Sequence, residues 1–134
     1  VPTDDIAACQ VIRRIVFIEG QNVPEADEVD GKDGEASHVL AFDGDTAVGT
    51  ARILGYGTTA KIGRVAVLAD HRGKGIGAAL LQGCEDAARR MGATRAILGS
   101  QTHAIGFYEI LGYHAYGDVF DDAGIPHRMM EISL

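Results

Sequence analysis

A chain of 134 residues, 46% of them hydrophobic and 23% charged, holds enough apolar material for one core and too much for a disordered segment. A formal net charge of −7 speaks against nucleic-acid binding, which needs a basic footprint. No run of eighteen apolar residues and no leader peptide is read, so a single cytoplasmic domain over residues 1–134, without membrane contact, is expected.

Thr3, followed by Asp4 and Asp5, reads as a helix start: a hydroxyl cap, then acids in the positive first turn. Ile6, Cys9, Ile12 or Arg13, and Val16 keep helical spacing, which predicts a helix over residues 4 to 17 or 18. Residues 19–36 read as loop with one helical turn after Pro24. There Glu19, Glu25, Asp27, Glu28, Asp30, Asp33 and Glu35 stand against Lys32 alone. Such a stretch is either a solvated acidic loop or a negative rim that attracts a cationic acceptor.

Residues 38–42 form a strand, Asp43-Gly44-Asp45 a hairpin turn, and residues 46–56 the returning strand. After a turn at 57–60, residues 61–68 make a third strand, with Ile62, Val65 and Val67 as its β-formers. The period then changes. Apolar positions at 76, 79, 80, 84, 87, 88 and 91 trace one helical face, and Gly92 is its left-handed stop. Residues 96–98 are a short buried strand. Strand, helix and strand across 61–99 imply a parallel pair. Residues 103–111 form a second short helix stopped by Gly112. Two closing strands, 113–120 and 127–134, flank a turn at 121–124. The order α, β, β, β, α, β, α, β, β describes an α+β fold on a mixed, mostly antiparallel sheet. Cys9 and Cys84 have no metal-ligand spacing and read as small buried hydrophobes; no metal is expected.

The most specific feature is Asp70-His71-Arg72-Gly73-Lys74-Gly75-Ile76-Gly77, between a strand and a helix. Gly73, Gly75 and Gly77 let the backbone turn tightly and approach a ligand closely. The following helix presents unpaired N–H groups and its positive dipole end at the same turn, and Arg72 and Lys74 add full charges. A pyrophosphate suits this arrangement best. The P-loop string is absent, and the dinucleotide fingerprint is disfavoured because three antiparallel strands precede the turn.

Val65-Ala66-Val67 followed by Arg72-Gly73-Lys74-Gly75-Ile76-Gly77 resembles motif A of the GNAT N-acetyltransferases, and residues 104–113 resemble motif B. Gly124-Ile125-Pro126-His127-Arg128-Met129-Met130, with Glu19-x-Gln21-x-Val23-Pro24 and His38, is similar to the ElaA/YjcF-like bacterial subgroup. The resemblance covers nearly the whole chain and implies the GNAT fold, with a splayed parallel pair flanked by helices. It also implies acetyl-CoA as donor, CoA as product, and an amine acceptor, with a homodimer left open. Residues 72–77 are then expected to bind the pyrophosphate. Val65, Ala66 and Val67 are expected to bond the pantetheine arm, and Phe107 to border the cofactor. Gln101 stands where many members carry a pantetheine-contacting Asn. The family's usual first strand is missing from the predicted elements.

Acetyl transfer from a thioester to an amine needs a base, an oxyanion donor, an acid for the leaving thiolate, and proximity. Tyr108 is the candidate acid, its alternative being a core aromatic; Phe107 and Tyr113 suit the core as well. His127 is the candidate base, since imidazole accepts a proton near neutrality; its alternative is a structural His. Glu19 and His38 are rivals or acceptor contacts. A bulge near Val67 is expected to supply the oxyanion N–H. Arg64 suits an acceptor carboxylate or phosphonate through a bidentate pair. A small-molecule acetyltransferase is the first reading. A non-catalytic acyl-CoA sensor, or acetylation of a peptide amine, is the alternative.

Overall fold

The computed structural model describes residues 1–134. Strands β1 (Pro2–Thr3), β2 (Ser37–Asp43), β3 (Thr46–Tyr56), β4 (Thr59–Val67), β5 (Arg95–Gln101), β6 (His114–Asp122) and β7 (Ile125–Ser133) form one sheet in the order β1-β2-β3-β4-β5-β7-β6. Helices α1 (Ile6–Arg13) and α2 (Glu25–Glu28) precede β2, α3 (Ile76–Arg90) joins β4 to β5, and α4 (Ile105–Ile110) joins β5 to β6.

The strand pleat divides two cores. Val39 and Leu40 are neighbours, point to opposite faces, and are both buried. Val39, Ala51, Ile53, Ile62 and Leu98 pack with Leu80, Leu81, Cys84 and Ala88 of α3. Leu40 and Ala66 pack on the other face with Cys9, Ile12 and Val16. Both cysteines are free and buried. The α3 end follows its sequence: Gly92 takes φ +84°, and Ala93 N–H bonds the Ala88 carbonyl at 3.0 Å.

The beginning of the chain departs from expectation. Pro2 and Thr3 pair with Val39 and His38, so a first strand is present as a two-residue stub. Thr3 is therefore not the helix cap. Its hydroxyl accepts from Asp5 N–H at 3.0 Å, and the Asp5 carboxylate caps Ala8 N–H at 3.1 Å. The first helix is regular only to Arg13, and Arg14–Glu19 continue it as a π-helical turn, a widened form that often marks functional sites.

The parallel pair is short. Thr59–Ile62 align with Arg95–Leu98, after which β4 and β5 run on without pairing. A shift in the β3–β4 register between Thr50 and Arg52 places a bulge at Arg64 and Val65, not near Val67 as expected. Arg64 sits in the left-handed region at φ +53°, an uncommon conformation for a side chain of this size. The bulge bends β4 where it leaves β5.

Candidate active site

The gap between β4 and β5 opens into a cleft of about 780 Å³. Peptide groups of β4 beyond Ile62 that face the gap have no strand partner, so they are ready-made bonding groups for an inserted chain. The Arg72 Nε uses one of them, donating to the Val67 carbonyl at 3.1 Å.

At one end of the cleft lies the glycine turn. Gly73 and Gly75 take φ +77° and +80°, and a Cβ at either would meet nothing within 4 Å. The glycines are there for backbone conformation, and the space above them is open. Gly75 caps α3. The first helical bond runs from Ala79 N–H to the Gly75 carbonyl, leaving the N–H groups of Ile76, Gly77 and Ala78 without helical partners. With the guanidinium of Arg72 alongside, these donors suit the pyrophosphate of a coenzyme A. The unpaired β4 edge suits its amide-bearing arm.

Into the lining of the same cleft α4 brings Tyr108 and β7 brings His127. The Tyr108 ring meets Phe107 and Tyr113 edge-to-face, with centroids at 5.0 and 5.9 Å. Its hydroxyl has no hydrogen-bond partner in the protein. Burial, with nearby Cys84 adding to it, pushes this phenol up to about 12. His127 Nδ1 lies 2.7 Å from the Ile125 carbonyl, and the ring stacks on Phe120 at 5.8 Å. A carbonyl can only accept, so Nδ1 carries the hydrogen and the lone pair of the neutral ring is on Nε2.

A family model described as "Acetyltransferase (GNAT) domain" matches residues 16–134. The chain belongs to the GNAT acetyltransferase family. YjcF of Bacillus subtilis, an uncharacterized N-acetyltransferase, is 40% identical over 89% of this chain and 86% of its own. The crystal structure of Escherichia coli ElaA superposes with a TM-score of 0.83 at 30% identity, covering 98% of this chain and 91% of that one. An aminoglycoside 6'-N-acetyltransferase solved with coenzyme A shares the fold, with a TM-score of 0.79 at 20% identity over 99% of this chain and 95% of that one. The GNAT family transfers acetyl groups from acetyl-CoA to amines, and the chain is a GNAT N-acetyltransferase. No helix is long and apolar enough to cross a membrane.

Against this GNAT frame the candidate residues sort by position. Arg64, Val65, Ala66, Val67, Arg72, Gly73, Gly75, Ile76, Gly77, Gln101, Phe107, Tyr108 and His127 all line the cleft. Lys74 is exposed and lies outside the lining, because the left-handed glycines on either side of it turn its Cα outward. Glu19 and His38 are outside it as well. Glu19 is exposed at the end of the π-helical turn. His38 is buried in β2, its Nε2 3.0 Å from the Asp33 carbonyl. Phe107 is 41% exposed and is not a core residue, whereas Tyr113 is buried at 1%, its hydroxyl donating to Glu85 at 2.9 Å.

The acidic loop is neither solvated throughout nor a simple rim. Glu28 is buried and bonds the Nε of buried Arg13. Asp33 accepts from Arg13 at 2.8 Å and from Arg52 at 3.2 Å. Asp30 is held by Arg52 at 2.8 Å and lies 3.4 Å from Arg64. Arg64 also donates to the carbonyls of Asp27 and Glu28 at 3.1 and 3.2 Å. All of these Arg64 contacts use Nη2, while the buried Nε has no hydrogen-bond partner, so part of the fork stays unengaged. Desolvation lowers its affinity for a proton, as do neighbouring Arg52 and Arg13. Three arginines and three carboxylates thus fasten residues 25–35, of which Asp27, Glu28, Asp30 and Lys32 line the cleft.

Sequence reasoning missed several cleft residues: Gln21, Asp122, Phe120 and Lys61. Gln21 was visible only inside a motif without an assigned role. Asp122 reads as an ordinary turn residue. His103 bonds Gln101 through Nε2 at 2.7 Å. His71 meets Asp43 at 3.1 Å and ties the glycine turn to the β2–β3 hairpin.

Proposed function

We propose that this enzyme moves the acetyl group of acetyl-CoA directly to the primary amine of a small molecule held beside it. The observation that carries the reading is a pairing within one cleft: an unengaged imidazole Nε2 on β7 and an unengaged, half-buried phenol on α4. Bound acetyl-CoA supplies an acyl group on a sulfur leaving group. His127 takes the proton from the incoming ammonium at Nε2, while the Ile125 carbonyl holds its ring by Nδ1. Asp27 and Asp122 line the cleft without cationic partners, so they attract the ammonium.

Tyr108 is refined by its burial. A thiol titrates near 8.5, well below about 12 for this phenol. Full proton transfer from Tyr108 to a thiolate therefore runs uphill by several pKa units. Tyr108 acts as a hydrogen-bond donor to the departing sulfur, and stays protonated throughout the working pH range. Unpaired backbone N–H groups of β4 past the Arg64 bulge supply donors for the carbonyl oxygen. No covalent enzyme intermediate is required, because the amine attacks the thioester directly, and the two buried cysteines are given no role as nucleophiles. The loop fastened by Arg13, Arg52 and Arg64 walls the acceptor end, which favours a small amine over an extended peptide.

A thiol-release assay with acetyl-CoA and a panel of primary amines tests this. Turnover with at least one small amine, abolished when the amine is omitted, is expected. Tight CoA binding with no turnover on any small or peptide amine would instead mark a sensor.

A further inference from the structure

The motif Glu19-x-Gln21-x-Val23-Pro24 has a structural purpose that the acyl-transfer reading does not use. After the π-helical turn, Asn22 adopts φ +56°, a conformation Asn tolerates better than most residues. Val23 N–H then bonds the Phe17 carbonyl at 2.9 Å. This tight bend turns the Gln21 side chain toward the end of β5. There Gln101 Nε2 donates to Gln21 Oε1 at 2.9 Å, and Gln101 Oε1 accepts from His103 at 2.7 Å. The Gln101 amide is therefore engaged at both ends by the protein itself. Gln101 is also the cross-strand partner of His127 in the β5–β7 ladder, and such pairs place their side chains side by side on one face.

Gln21 keeps unused capacity. Its Oε1 is taken, but both Nε2 hydrogens lack a protein partner, and Gln21, Gln101 and His127 line the same cleft. Resting on the acyl-transfer reading, we infer that Gln21, pinned by Gln101, is a specificity-determining donor. It selects amines that also carry an oxygen acceptor, such as a carboxylate, carbonyl or hydroxyl. Gln101 is a positioning residue for that donor rather than a cofactor contact. A donor fixed before binding discriminates well, because little side-chain entropy is lost on contact.

The test compares glycine, glycinamide and ethanolamine with propylamine and putrescine, read as kcat/KM at saturating acetyl-CoA. The wild type favours the oxygen-bearing amines. Gln21→Ala lowers kcat/KM about three- to tenfold for glycinamide and ethanolamine, the value of one neutral hydrogen bond, lowers it further for glycine, whose carboxylate makes a charge-assisted bond, and leaves the alkylamines and the acetyl-CoA Kd unchanged. Gln101→Asn keeps the amide but shortens its reach, so it acts in the same direction, and the double variant is no worse than Gln21→Ala. Gln21→Glu retains the oxygen that Gln101 bonds but removes the donors, so it loses discrimination while keeping the bend.

Hydrogen exchange gives a readout independent of turnover. Amides of residues 20–24 exchange faster in Gln101→Asn and at the wild-type rate in Gln21→Glu. Equal losses on both amine classes, or a weakened acetyl-CoA Kd with the amine ratio intact, would overturn the inference. Unchanged exchange in Gln101→Asn also overturns it, even where no panel amine is turned over; that absence of turnover counts against the acyl-transfer reading instead.

Discussion

The ring of Phe107 lies over Gly77, so that a Cβ at position 77 would stand 3.1 Å from its Cζ. Gly77 is the second residue of α3, and Phe107 belongs to α4 and lines the cleft. The glycine therefore sets how closely α4 approaches the phosphate-binding turn.

Replacing Gly77 by Ala separates stability from binding. Ala favours a helix over Gly by up to about 1 kcal/mol, and a partly exposed ring can shift by a few tenths of an ångström. Thermal stability is expected to hold or rise slightly in Gly77→Ala. The displaced ring narrows the cleft, and the CoA Kd rises several-fold by calorimetry. A lower Tm with unchanged Kd would contradict this.

Tyr108→Phe keeps the edge-to-face packing and removes only the hydroxyl. Turnover is expected to fall about ten- to a hundredfold, with acetyl-CoA affinity within twofold of wild type. With the phenol pushed up to about 12, no basic limb from Tyr108 should appear in the wild-type kcat profile below about pH 11. Full turnover in Tyr108→Phe defeats the assignment.

His127→Gln removes the base while preserving a polar side chain in the cleft. General-base loss typically costs 10²–10⁴ in rate, so kcat/KM should fall by about that factor. A variant that keeps its rate points to another base.

Acid should loosen the fastened loop before it unfolds the sheet. The bond from Arg52 holds the Asp30 carboxyl well below the usual range, in spite of burial. Burial alone would raise Asp33, but hydrogen bonds from Arg13 and Gln10 bring it from 3.8 to about 2. Both groups release their protons more readily when folded. Their stabilisation is present above about pH 4 and is lost as pH falls toward 2, on the order of 2 kcal/mol for Asp33. Denaturant melts across that window should show the loss, and Asp33→Asn should flatten it.

Arg13→Ala leaves buried Glu28 without its hydrogen-bonded cation, with only the Arg64 Nε at 3.7 Å. The expected cost is about 3–5 kcal/mol, read as a lower urea midpoint. Glu28→Gln in the same background should recover part of it by removing the stranded charge. A neutral Arg13→Ala would mean the network contributes nothing.

Much of this enzyme was legible in its residues. Periodicity fixed α3 and its glycine stop, because burial of one helical face depends on local spacing. The Gly73–Gly77 turn announced itself, because only glycine takes left-handed φ cheaply. Tyr108 and His127 were found through motifs, and both line the cleft. The acidic loop was beyond reach: whether Glu28, Asp30 and Asp33 face water or arginine depends on Arg13, Arg52 and Arg64, brought in from distant elements. The bulge at Arg64 follows from a strand register that no local signal encodes. Gln21 and Gln101 are 80 residues apart, and only the folded sheet brings their amides together. Local conformational preference is written residue by residue, whereas charge pairing and cross-chain bonds are decided by which distant segments the packed core makes neighbours.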